Sequence, residues 1–289
     1  MRLINGLLTL ALAVSLFSCG SSGEEFFLNA NGSGRVVANT DLSSMWGLMQ
    51  MGLQAELGKD EERDPTEQQM LELLTADNFD TTFTFVDFMS NIAEAQGGAP
   101  VGIGDLLQEL ESNPDMTDEQ RDMLLPLANV MATTEMRLYG EQANNNYGLA
   151  STQFFTSLNE LVPLGEGLGG LGAFAGQSGD PEAEMGMNMI SSMMGESTTY
   201  RLEGNMLYVS RPAAAEMDAD MDPQMAMAMQ MFGGGSEDYT LTLHLPGKIK
   251  KVSREAEIDK RAGLVTVTIP AAEVENGFDF NIKFKPRRR

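Results

Sequence analysis

Polar and apolar positions alternate with period two along much of this chain, the spacing of a half-buried strand. The clearest run is 238–245, which places Tyr239, Leu241, Leu243 and Leu245 on one face before Pro246 and Gly247 break it. Residues 264–269 form a second run, stopped by Pro270, and 278–284 a third, with Phe278, Phe280, Ile282 and Phe284 inward. Residues 198–202 and 206–210 flank Glu203-Gly204-Asn205 as a tight hairpin. Earlier in the chain, 80–86 alternates threonine with aromatic residues, and 133–140 with 147–155 predict a hairpin across Asn144, Asn145 and Asn146. A first hairpin is predicted within 25–40, because Asn31-Gly32 is a strong two-residue turn signal between strands. Antiparallel pairing with one wet face follows from such alternation.

Helical spacing replaces this pattern after residue 41. Asp41 is a plausible N-cap, and Met45, Leu48, Met49 and Leu53 then share a face, with Trp46 off that stripe at a core edge. Further helices are expected at 66–74, at 105–111 and from Thr117, which pairs with Gln120 as a capping box until Pro126 bends or ends the helix. The expected fold class is therefore α+β: one or two antiparallel sheets with helices packed on one side.

The N-terminus has a different character. Met1 and Arg2 give a charged start, and 7–17 form an apolar run too short for the ~20 residues of a membrane span. Small residues then precede Cys19, the only cysteine in the chain. Leu16, Phe17, Ser18 and Cys19 resemble the bacterial lipobox, which identifies 1–18 as a lipoprotein signal peptide. The resemblance implies that the Cys19 thiol is diacylglycerylated, that the leader is removed and that the new amine is acylated. Two or three buried acyl chains make a stable anchor, at about 0.8 kcal/mol per CH₂. Residues 19–25 then read as a flexible Gly/Ser tether ending in Glu24-Glu25. Gly20, where an aspartate would imply inner-membrane retention, implies the outer membrane by the same resemblance. The Glu pair resembles the acidic surface-export signal of Bacteroidota lipoproteins. The succession of strand, acidic capped helix and Met136-Arg137-Leu138 strand is likewise similar to uncharacterised lipoproteins of that group, and brings no activity with it.

Charge narrows the partners. The net charge is −23, but residues 244–289 carry +5 and the rest −28. An acidic body repels phosphate backbones and anionic lipid surfaces, so no nucleic-acid partner is expected. The basic C-terminal region could dock on the acidic body, on a partner or on lipid headgroups, and reads first as a solvated strand edge protected by lysines. With the one cysteine acylated, no disulfide forms in the mature chain. Its organisation reads as an N-terminal α+β region at 26–163, a Gly/Met-rich linker with a short hairpin at 164–235 and a β-rich region at 236–289.

Candidate chemistry is sparse. Between Met185 and Met231 lie twelve of the twenty-two methionines, with period two at Met185, Met187, Met189 and at Met225, Met227, Met229, Met231. Thioethers suit Cu(I), yet methionine is also an adaptable packing residue, and copper-handling segments usually interleave histidine, of which this chain has one, His244. Asp218, Asp220 and Asp222 have calcium-loop spacing, but Pro223 stands where the loop needs glycine and Met229 where it needs glutamate. The 29–40 loop likewise ends on Thr40 rather than glutamate. Gly167, Gly169 and Gly172 satisfy G-x-G-x-x-G without the strand and helix that the motif requires. Triad chemistry would have to use His244, which falls on the polar face of its strand. No cofactor and no enzyme activity are expected. The expected role is that of a lipid-anchored envelope protein that binds or scaffolds another envelope component. The alternatives are Cu(I) binding by the methionines and a carboxylate-based hydrolase.

Overall fold

The computed structural model describes residues 23–43, 46, 76–84, 87, 117, 133–161, 198–213 and 238–286. Its first strand, β1 (Gly23–Leu28), buries Glu24, Phe26 and Leu28 and leaves the residues between them half-buried. A five-residue loop, 29–33, carries the chain from Leu28 into β2 (Gly34–Asp41), which pairs antiparallel to β1. This loop is longer than the two-residue turn that Asn31-Gly32 predicts. It is closed by the Asn29 amide donating to the Ser33 carbonyl at 2.8 Å, with Gly32 at φ +89°, a conformation that favours glycine.

Strands β3 (Asn78–Thr84), β4 (Thr134–Glu141) and β5 (Asn146–Phe155) continue the sheet beyond β2. The C-terminal part supplies β6 (Thr199–Glu203), β7 (Met206–Arg211), β8 (Tyr239–His244), β9 (Gly247–Val252), β10 (Glu257–Asp259) and β11 (Leu264–Ile269). A short helix, α1 (Ala271–Asn276), then leads into β12 (Phe278–Pro286). Eight strands make one sheet in the order β10-β11-β8-β1-β2-β5-β4-β3, and four make another in the order β6-β7-β12-β9. The expectation of antiparallel pairing holds except in one place. There β1 runs parallel to β8, with Phe26 opposite Leu243, joining residues from the two ends of the chain.

The two sheets close a core on each other. Phe26, Leu28, Leu241, Leu243, Val265, Val267 and Ile269 of the larger sheet meet Leu207, Val209, Ile249, Phe278, Phe280, Ile282 and Phe284 of the smaller one. This corrects the expected α+β arrangement with helices packed on one side. Among the described residues α1, six residues long, is the only α-helix with defined ends, and the cover over β1, β8 and β11 is a second sheet. The reason is in the alternation itself. Strands β7 and β12 have one apolar face each, and two such faces bury most area against each other. The strand β9 was hidden in the sequence by its lysines; it lies at a sheet edge, as the reading of a lysine-protected edge requires.

The far half of the larger sheet has a smaller aromatic cluster. Trp46 is 2% exposed and stacks on Tyr147 at 4.4 Å and on Phe79 at 5.2 Å. The apolar stripe put it at a core edge; the stack puts it inside. The Asp41 carboxylate accepts the Ser43 amide at 2.8 Å, as the expected cap does. A second cap escaped the sequence reading: Thr84 and Asp87 bond reciprocally, each side chain to the other's amide at 3.0 Å.

Candidate functional site

Inward-facing positions of a strand between two sheets are normally apolar, so a carboxylate there requires partners. Glu24 occupies such a position, two residues before Phe26, and is buried. Its Oε1 accepts a short hydrogen bond from the Tyr200 hydroxyl on β6, and its Oε2 accepts one from the Tyr239 hydroxyl on β8 at 2.7 Å. The Thr198 hydroxyl lies 3.5 Å from that of Tyr239. Arg211, at the end of β7, holds its guanidinium 5.4 Å from the centre of the Tyr239 ring. One carboxylate thus ties three strands in both sheets.

Burial pushes the Glu24 carboxyl above its ordinary value of 4.5, against the opposing pull of Tyr200, Tyr239, the Arg211 charge and Thr198. Both phenols are pushed well above 10, first by burial and then by the Glu24 charge. The sign of the stability effect follows. An acid raised in the folded state binds its proton more tightly there than in the unfolded chain. Its contribution is most favourable below pH 4.5 and is lost as pH rises through the window up to the raised folded value. Replacing Glu24 by glutamine, which keeps the shape and one acceptor, is expected to flatten the fall of stability above pH 4.5 relative to the parent. Urea midpoints at several pH values check this.

Beside this cluster is a shallow cleft of about 460 Å³, lined by Ser210, Arg211, Pro212, Ala213, Asn276, Gly277, Phe278 and Asp279. Arg211 is shared between the two, whereas Glu24 does not line the cleft. Both carboxylate oxygens of Glu24 are engaged by phenols, so what this arrangement does best is join the sheets.

His244 lies elsewhere. Its ring stacks on Phe27 at 4.1 Å, Phe27 in turn sits under the Arg35 guanidinium at 4.4 Å, and its Nε2 is 3.6 Å from the Glu25 carboxylate. Among the described residues no group of three or more His, Cys, Asp or Glu could hold a metal ion. The lipobox residues Leu16, Phe17, Ser18 and Cys19 lie outside the described residues. So do Met185, Met187, Met189, Met225, Met227, Met229 and Met231, the glycine motif at 167–172 and the aspartates at 218–222. Glu24 itself was read as tether. The signal that finds it is positional, since it shares the inward parity of Phe26 and Leu28.

No family model and no curated protein matches the chain, so the likeness to Bacteroidota lipoproteins gains no support from either. Among solved structures, the NMR structure of the folded domain of LppM from Mycobacterium tuberculosis aligns over 92% of this chain and 90% of that one, at 9% identity and a TM-score of 0.28. A likeness that slight carries no argument about fold or activity.

Proposed function

We propose that this chain is a lipid-anchored protein of the cell envelope, held at the outer membrane through Cys19, which binds or scaffolds another envelope component and is not an enzyme. The lipobox supplies the anchor. The observation that supports it from the fold is the place where the first described strand begins. Strand β1 starts at Gly23, four positions after Cys19, and lies inside the larger sheet between β8 and β2. Four residues extend at most about 14 Å. The Gly23 end of the sandwich is therefore kept near the acylated sulfur, and the Glu24 cluster lies at that end. A structural tie at the anchored end fits a body that stays on a bilayer.

The mass of the native mature chain tests the anchor. The expected mass is that of a chain beginning at Cys19 with a diacylglyceryl group and an amide-linked acyl chain. A free thiol on an uncut leader would overturn the reading.

A further inference from the structure

The outer face of the four-stranded sheet carries a charge the rest of the chain does not. Lys283 and Lys285 of β12 and Lys248, Lys250 and Lys251 of β9 are all exposed. Cross-strand register sets like charges directly opposite, Lys283 against Lys251 and Lys285 against Lys248. Among the described residues none of the five is in an ion pair. The sequence then runs from Pro286 into Arg287, Arg288 and Arg289.

Protection of an open edge explains the lysines of β9, which is an edge strand. It does not explain Lys283 and Lys285, because β12 is flanked by β7 and β9. Like charges directly opposite each other destabilise a sheet. An acid at either β12 position would remove that repulsion. The acids of this face stand apart from these lysines: Asp279 is four residues back along β12, opposite Ser210, and Glu203 on β6 is paired with Arg201.

We propose that this face docks on the phosphate headgroups of an anionic lipid surface, through Lys248, Lys250, Lys251, Lys283 and Lys285. Clusters of four to eight cations are what such a surface attracts. Protein interfaces are centred on buried aromatic or apolar anchors. On this sheet the outward Tyr208 is already covered by Arg201, whose guanidinium is 4.7 Å from its ring centre. A flat array of lysines suits a fluid, flat array of charge. Remote acids of the body are screened beyond about 8 Å at physiological salt, so the contact is decided locally.

The test uses the full chain with Cys19→Ser, which has no acyl group, so its result does not bear on the anchor. Binding is compared between neutral phosphatidylcholine vesicles and vesicles with about one third phosphatidylglycerol; the leader, with its charged Met1-Arg2 start, is common to parent and variants, so the change on lysine reversal is what reads the face. The expected result is preference for the anionic vesicles, weakened by salt. Adding Lys283→Glu and Lys285→Glu should cut that preference by about 25-fold or more, at about fivefold per lysine. The same two changes should raise the thermal midpoint, because each new carboxylate faces a lysine. Binding and stability moving in opposite directions distinguishes docking from loss of fold. Equal binding to both vesicle types, or an unchanged preference after the charge reversal, would overturn the proposal. So would salt-sensitive self-association in place of vesicle binding, which would make the face a contact between copies.

Discussion

Truncating Phe26 to alanine is expected to lower the unfolding free energy by about 3–5 kcal/mol, the range for removing a fully buried phenylalanine. Its side chain is 0% exposed. It stacks on Tyr200 of the smaller sheet at 4.2 Å and on Phe155 of its own sheet at 5.9 Å. On either side, β8 and β2 fix the backbone through paired registers, so the hole left by the ring cannot collapse without moving three strands. The control is Phe154→Ala on the outer face, where the ring is 42% exposed and a surface substitution costs about 0.5 kcal/mol or less. Denaturant midpoints with an unchanged slope read both. A loss under 1 kcal/mol at Phe26 would mean that the two sheets do not close on it.

The second large effect is expected at the carboxylate between the sheets. Replacing both Tyr200 and Tyr239 by phenylalanine removes the two donors while leaving Glu24 buried. Breaking a buried charged network on one side costs about 3–5 kcal/mol. The group can escape by taking up a proton, so the loss should be larger at pH 8 than at pH 5. Without the phenols the carboxyl rises further above 4.5, and the pH window over which stability falls extends upward. Adding Glu24→Gln removes the charge and should restore part of the loss at pH 8 and little of it at pH 5. Equal losses at both pH values, with no rescue, would show that Glu24 is not held as a charge. These changes and Phe26→Ala touch one another through the Phe26–Tyr200 stack, so their effects should not add.

Much of this sheet structure was legible because its strands have one wet face. Residues 264–269 alternate cleanly and form β11 with the same bounds, and 278–284 fall within β12. The hairpin at 203–206 was legible because Gly204 supplies the φ of +60° that the turn needs. What alternation does not encode is the neighbour. An apolar stripe says that a face is covered, and it leaves open whether a helix or another sheet covers it. That is why helices were expected as the cover that β7 and β12, themselves read as strands, provide. The parallel pairing of β1 with β8 spans more than two hundred residues, and no local signal records it. Lys248, Lys250 and Lys251 hid β9, since exposed lysines on an edge strand carry no apolar period of their own. Glu24 was missed because a Gly/Ser-rich approach followed by two glutamates has the composition of a tether. Only the inward parity of its strand shows that one of the two glutamates is buried and the other is not.

The proposed anchor at Cys19 would hold the Gly23 end of the two-sheet body at a bilayer. The most direct measurement is fractionation of envelopes from cells expressing the native chain and the Cys19→Ser chain, with mass determined for each. The native chain should sediment with membranes, begin at Cys19 and carry acyl groups, and Cys19→Ser should carry no acyl group and keep its leader. A native chain that is soluble, or one that sediments without any acyl group, would contradict it.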